Sequence, residues 1–353
     1  MKILLLGEFS GFHKNLKEGL VDLGHEVYLI SSGDGWKEIP GSDNTLRKYS
    51  VANNVFKKII NLIYPFLFLS KFKNHDVVHI INPFIFSNHF LSELLIKYIK
   101  KNNRFFSMSA CGFDPPYLES MREFNYAPFS LDKQLTFYSE KEKQRFNLIY
   151  QMIDLVIPVM YDNAKGYNES SKCSQIVPLP INLKNIKFIK NSFQEKIVIY
   201  HGIIRRGFKG SDFIIKALDK LKKSHGNLVE IIITEKIPYD DYKEILNKSN
   251  ILIDQCKSQA YGMNAIIGLG MGKVVLSGSE TEAMSYFKFN DECPIINITP
   301  VVDQIYEALK TLVENPIQIE KISKEGRLFV ENYHSHIKIA EKYISLWNKT
   351  IQS

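Results

Sequence analysis

The stretch MKILLLGEFSGFHKNLKEGLVDLGHEVYLISSG, Met1 to Gly33, decides the fold. Met1–Leu6 is apolar apart from Lys2, as expected of a buried strand. Gly7-Glu8-Phe9-Ser10-Gly11 is a glycine turn. Phe12, Leu16, Leu20 and Leu23 then recur at helical spacing, and Gly24 can stop that helix. Glu26–Ile30 is a second strand. Strand, helix and strand in succession make a β-α-β unit, which implies a parallel sheet with right-handed crossovers. Further strands are expected at Asp76–Ile81, Arg104–Ser109 and Leu155–Val159, with helices near residues 88–101 and 136–152.

The pattern starts again in the second half. Ile197–Tyr200 is apolar, ends at His201-Gly202, and leads through a basic glycine loop into a helix from about Ser211 to Ser224. Strands follow at Val229–Thr234, Ile251–Asp254 and Lys273–Leu276, with helices near 239–248 and 262–271. Thr299-Pro300 announces one more helix as an N-cap with proline in the first turn. The expected architecture is α/β, two doubly wound Rossmann-like domains facing a central cleft. The boundary falls near residues 182–195, giving domains 1–190 and 191–335. Ligands are expected at the carboxyl ends of the strands.

The chain has 353 residues, enough for two ordinary domains, with 45% hydrophobic and 24% charged residues. Its four cysteines, Cys111, Cys173, Cys256 and Cys293, form no C-x-x-C pair, so neither a zinc site nor a disulfide framework is indicated. The opening apolar run is too short for a signal peptide, and a cytoplasmic setting is expected. Residues 1–190 hold 24 Lys/Arg against 18 Asp/Glu, and this half carries most of the net charge of +7. That bias fits an anionic substrate or surface, or a chance excess on a solvated face. No nucleic-acid-binding motif accompanies it, so no nucleic-acid partner is expected. The stretch 55–72, VFKKIINLIYPFLFLSKF, is too interrupted to span a membrane. Flanked by Lys57, Lys58, Lys71 and Lys73, it is either a helix packed on the first sheet or an interfacial segment on an anionic membrane.

The strongest chemical signal is HGIIRRGFKGSDF, His201 to Phe213. Gly202 ends the strand, the loop presents Arg205, Arg206 and Lys209, and Gly210-Ser211 opens a helix. Free N–H groups, the positive helix end and three cations suit a pyrophosphate. The alternative is a basic solvent-exposed loop. Neither G-x-x-x-x-G-K-[ST] nor G-x-G-x-x-G is present, so no cofactor is expected.

These motifs resemble those of GT-B glycosyltransferases of the large family 4 type, especially bacterial surface-polysaccharide enzymes of capsule or lipopolysaccharide assembly. DVVHIINP, Asp76 to Pro83, resembles the family's D-V-V-H-x-H-N-P strand. IVPLPINLKNIKF, Ile176 to Phe188, resembles its interdomain segment. The Arg/Lys loop resembles its donor-phosphate loop. QAYGMNAIIGLGMGKVVLSGSE, Gln259 to Glu280, resembles its donor motif, E-x-[FY]-G-x-x-x-x-E-A. Residues 336–353 resemble its final helix, which crosses back to the first domain.

The resemblance implies transfer of a hexose-type sugar from a nucleoside-diphosphate-sugar substrate to a polysaccharide or lipid-linked glycan, with retention of configuration. It places Tyr261, Gly262, Met263 and Asn264 beside the donor, and Gly7, Glu8, Gly11 and His79 on the acceptor side. Asp114, in the turn SACGFDPPYL, is the carried-over catalytic residue; the alternative is an Asp capping its own turn. The family's two donor glutamates are Gln259 and Ile267 here. Glu280 and Glu282, in the loop after the strand at 273–276, are the substitutes expected for the donor ribose, unless they only favour the next helix N-terminus. No D-x-D occurs, no metal ligands are expected, and Arg/Lys charge would serve instead. An epimerase of the same fold and a non-catalytic sugar-binding partner are the other readings of this pattern.

Overall fold

The computed structural model describes residues 1–32, 34, 39–49, 52–85, 90–128, 139–192, 195–289 and 292–352. The expected helical residues 88–89 and 136–138 lie outside them. In chain order the elements of the first half are β1 (Lys2–Leu6), α1 (Phe12–Asp22), β2 (Glu26–Ile30), α2 (Val55–Ile63), β3 (Val77–Ile80), α3 (Phe90–Asn102), β4 (Phe105–Ala110), α4 (Pro115–Ser120), α5 (Glu140–Met152), β5 (Leu155–Pro158) and α6 (Tyr161–Lys165). There follow β6 (Ile197–Ile203), α7 (Arg206–Lys209), α8 (Ser211–His225), β7 (Val229–Glu235), α9 (Tyr239–Lys248), β8 (Ile251–Ile253), α10 (Met263–Gly270), β9 (Val274–Ser277), α11 (Thr281–Phe287), β10 (Ile296–Asn297), α12 (Val302–Glu314), α13 (Ile317–Tyr333) and α14 (His336–Gln352).

The chain divides into two compact units. Met1–Ser120, Leu135–Asn182 and His336–Ser353 form one; Met121–Gln134 and Leu183–Ser335 form the other. The division thus falls at Asn182, before the expected residue 190. Residues 183–190 are tied to the second unit by Ile189 N–H donating to Met271 O (3.1 Å) and Arg327 Nη1 donating to Ile186 O (3.0 Å).

The first sheet has the order β2-β1-β3-β4-β5 and the second β10-β9-β8-β6-β7. Every recorded pairing is parallel. Counted within its own unit, each sheet has the doubly wound order 2-1-3-4-5. That order reverses between β1 and β3 in one unit and between β6 and β8 in the other, and such a switch point is where doubly wound folds bind ligands. Strands such as LVIP at β5 and VVLS at β9 are buried at every position, which is why their sequences run apolar without alternation.

Two expectations shift in detail. Thr299-Pro300 does not cap a helix; the N-cap of α12 is Val301, and Thr299 N–H donates to Gln304 Oε1 at 2.7 Å. The expected loop after β6 contains a full helical turn, α7, and β6 itself runs past Gly202 to Ile203.

Helix α14 belongs to the first unit and lies along α1. Phe12, Leu16 and Leu20 of α1 are fully buried, as are Tyr343 and Trp347 of α14. Each such side chain contributes roughly 1.5–3 kcal/mol. Gly19 lets the helices touch: a Cβ there would lie 2.2 Å from the His336 carbonyl oxygen. His336 N–H donates to Ile181 O (3.1 Å), anchoring the start of α14. Gly19→Ala should therefore lower stability by about 1–3 kcal/mol through overpacking. Urea melts would register this as a lower midpoint at unchanged slope.

Candidate functional site

At the β6/β8 switch point of the second unit lies a buried ion pair. Lys209, on α7, sends Nζ inward to donate to Asp254 Oδ1 (3.0 Å) and to Gly202 O (3.3 Å). Asp254 follows the last residue of β8 and is 2% exposed. Its Oδ1 also accepts from Asn264 Nδ2 (2.7 Å), and its Oδ2 from Ser277 Oγ (3.3 Å) at the end of β9. Tyr242 OH donates to Asn264 Oδ1 at 2.5 Å. The carboxylate is thus held by three donors from three elements, as a buried charge requires. Lys209, expected as a loop cation, is instead a fixed one. A lysine ammonium carries three protons and two are used here.

Behind it, His201 Nδ1–H donates to Ile253 O (2.9 Å), which fixes the tautomer, so Nε2 accepts from Ser211 Oγ (2.9 Å). Burial pushes its pKa down to about 4. Gly210 has φ +73°, and a Cβ would meet Cys256 Sγ at 2.4 Å, so only glycine fits before α8. Arg206 is exposed and pairs with Asp212 (2.9 Å) and Glu235 (3.7 Å), while the Arg205 guanidinium lies 3.9 Å from the Phe208 ring centroid.

Two further helix starts of this unit carry expected site residues. Gly262 caps α10, and a Cβ there would meet nothing within 4 Å. Met263 is buried, and Asn264 is engaged as described. Tyr261 does not present its ring to a ligand. It is 2% exposed, stacks on Phe287 (5.8 Å between centroids) and its OH bonds His334 Nε2 at 3.0 Å. It is a core residue, because its tyrosine-sized ring fills the space between α11 and α13.

Glu280 occupies the N-cap of α11 and Glu282 its first turn, the arrangement in which carboxylates favour a helix start. Glu280 also accepts from Tyr126 OH at 2.5 Å, and Gln259 Nε2 donates to Tyr126 O at 2.9 Å. Gln259 Oε1, buried beside them, has no partner among the described residues.

In the first unit the β1/β3 switch point is filled by the glycine turn. Gly7 has φ +86°, and a Cβ would strike Ile81 and Ile85 at 2.5 and 2.7 Å, so this glycine serves packing. Gly11, φ +88°, would bring its Cβ no closer than 3.4 Å to Asn15. Glu8 is 4% exposed; its Oε2 accepts Lys14 N–H (2.8 Å), and Oε1 has no partner among the described residues. Burial, with Asp34 nearby, lifts its pKa to about 7. His13 Nδ1–H donates to Gly7 O (2.8 Å), and burial lowers its pKa to about 3.

Asp114 is not placed to touch a substrate. It is fully buried, its Oδ1 accepting Tyr117 N–H (2.9 Å) and its Oδ2 Tyr167 OH (2.7 Å). It caps α4, as the turn-capping alternative has it. His79 is fully buried too, between Ser107 Oγ and Ser109 Oγ (both 2.8 Å), with Tyr343 and Trp347 against its ring. It supports α14 and does not line an acceptor site. Sequence reasoning passed over Asp254 and Tyr126. A carboxylate directly after an apolar strand was the available signal for Asp254; nothing local pointed to Tyr126.

Among the described residues no three His, Cys, Asp or Glu side chains group as a metal site. Two doubly wound domains of this topology define the GT-B architecture. Sucrose-phosphate synthase from Thermosynechococcus elongatus is similar over 99% of both chains, with a TM-score of 0.65 at 13% identity. Anabaena HepE, solved with UDP-glucose, is similar over 99% of this chain and 100% of its own, with a TM-score of 0.61 at 12% identity. UDP-GlcNAc 2-epimerase from Neisseria meningitidis, solved with UDP-GlcNAc, has a TM-score of 0.54 at 14% identity over 99% and 100%. No known family profile and no curated protein matches the sequence. What is shared at these identities is the fold.

Two outcomes follow from the buried charges. Lys209→Met leaves Asp254 without its counter-charge and should cost about 3–5 kcal/mol; adding Asp254→Asn should restore much of that in chemical melts. Glu8 is protonated in the folded chain up to about pH 7 but ionises near 4.5 when unfolded. Its contribution is therefore full below pH 4.5 and is lost as pH rises to 7. Glu8→Gln should gain up to about 3 kcal/mol over the wild type between pH 5 and 8, read from urea midpoints across that range.

Proposed function

We propose that this chain is a glycosyltransferase that takes a sugar from a nucleoside-diphosphate donor held by the second unit. The observation that carries the reading is the site at the end of β6. Arg205, Arg206 and Lys209 gather there with Gly210 and the N-terminus of the 15-residue α8, at a switch point. The occurrence of UDP and UDP-sugars in solved proteins of this fold supports the donor class, and UDP-sugars are the first donors to try.

The chemistry asked of this site is to stabilise negative charge developing on the leaving diphosphate. Lys209, pre-aligned by Asp254 and Gly202, meets it without reorganising and has one proton unspent. Among the described residues Arg206 is held by exposed ion pairs to Asp212 and Glu235, which solvent screens, so a diphosphate displaces them readily. Gly262 leaves room at the start of α10 for a ligand to approach the backbone. Glu280, one of whose oxygens is taken by Tyr126, offers the other to the donor ribose in place of the glutamate replaced by Ile267. These cations take the role of a metal ion, and the sugar passes with retention to a lipid-linked or growing glycan. On the acceptor side Glu8, with a pKa of about 7, is the group able to exchange a hydroxyl proton near neutrality.

UDP should raise the melting temperature of the ligand-free chain, as ligand binding to the folded state does. Arg206→Ala should weaken UDP about tenfold or more with the ligand-free melt unchanged, since a charge-assisted contact contributes about 1.5–3 kcal/mol. Turnover should persist in EDTA. If no nucleoside diphosphate shifts the melt, the donor reading is lost. Conversion of a UDP-sugar into its epimer without any acceptor would instead make the chain an epimerase.

A further inference from the structure

Helix α2 carries its amphipathic character the wrong way round for a structural helix. Its polar side faces the protein. Asn61 Nδ2 donates to Tyr49 O and Tyr49 N–H to Asn61 Oδ1, both at 2.9 Å, and Lys57 Nζ lies 5.5 Å from the Tyr49 ring centroid. Its apolar side faces outward. Val55, Phe56, Ile59 and Ile63 are exposed by 72, 70, 52 and 46%, and Leu67, in the 3-10 turn that follows, by 76%. No residue of α2 is buried. A helix that serves a core shows the reverse pattern. A contiguous apolar face of this kind marks a surface that something covers.

The charge around that face says what covers it. Residues 44–75 contain Arg47, Lys48, Lys57, Lys58, Lys71 and Lys73 and not one Asp or Glu. A stretch with six cations and no carboxylate, bearing an outward apolar helix face with exposed Lys58 on the same helix, complements anionic lipid headgroups, with the apolar side chains entering the acyl boundary and cations at headgroup level. A second copy docked by the same face would bring these cations onto their own kind. No helix among the described residues is long and apolar enough to cross a membrane. We infer that this face of the first unit is a peripheral docking surface for an anionic membrane, with α2 lying in the interface plane. The inference rests on this surface alone and holds whether or not the donor reading does.

The test uses the full chain with vesicles of phosphatidylcholine plus phosphatidylglycerol, and of phosphatidylcholine alone. Co-sedimentation should occur with the mixed vesicles at low salt, weaken as salt rises, and be slight with phosphatidylcholine. The pair Phe56→Asp, Ile59→Asp and the pair Lys58→Glu, Lys73→Glu should each lower partitioning about tenfold or more, with nucleotide binding unchanged. Because a variant can fail to fold, backbone hydrogen exchange of the wild type serves as a second measurement: residues 55–67 should slow when mixed vesicles are added. No sedimentation with mixed vesicles at low salt overturns the inference. So does unaltered exchange at 55–67, and so does a concentration-dependent dimer that Phe56→Asp, Ile59→Asp dissolves.

Discussion

Everything chemical in this chain depends on one constraint of parallel sheets. All strands of such a sheet end on the same edge, and an order of 2-1-3-4-5 makes the crossovers part at one place on that edge. There the backbone groups at the strand ends are left to side chains, helix starts or ligands. The chain meets this need twice, once after β1 and once after β6, with different residues. After β1 it uses a turn whose Gly7 is pressed against Ile81 and Ile85. After β6 it uses a charged lysine driven back under its own loop to Asp254.

The two places handle burial of charge in opposite ways. Asp254 is compensated by Lys209, Asn264 and Ser277. Glu8 is met by backbone N–H groups of its own turn, Lys14 foremost, with no partner for Oε1 among the described residues, and burial outweighs them and raises its pKa to about 7. A compensated charge makes a fixed electrostatic feature, suited to hold an anion without rearrangement. An undercompensated carboxyl makes a group whose proton is easily exchanged near neutrality. The buried histidines His13, His79 and His201 are neutral, with pKa values lowered by burial. They pull stability the other way from Glu8, since the unfolded chain takes up their protons as pH falls through about 6.5.

The outer surface of the first unit obeys a different rule. Its sheet is covered on the α1 side by α14, where Gly19 admits the backbone of His336 and Tyr343 and Trp347 close the layer. Helix α2 is joined to the same unit through polar atoms of Asn61 and Tyr49 and leaves its apolar residues outside. Burial drives the first contact, whereas the second includes the paired Asn61–Tyr49 hydrogen bonds and the approach of Lys57 to the Tyr49 ring.

The sequence by itself determined the two α/β units, because strands buried on both faces must be apolar throughout, and runs such as ILLL and VVL leave no other period. It also determined that cations and glycines gather at residues 202–210. Only the tertiary structure decided what those residues face. Lys209 reads as a loop cation until β8 brings Asp254 beneath it, a partner 45 residues away. Tyr261 reads as a ligand-side aromatic until Phe287 and His334 close over it. Asp114 reads as a cleft carboxylate until Tyr167 takes its second oxygen. Local spacing fixes secondary structure because the backbone period is local. Whether a polar side chain meets solvent, a ligand or a distant partner depends on contacts that close across the sheet, and no short stretch of sequence carries them.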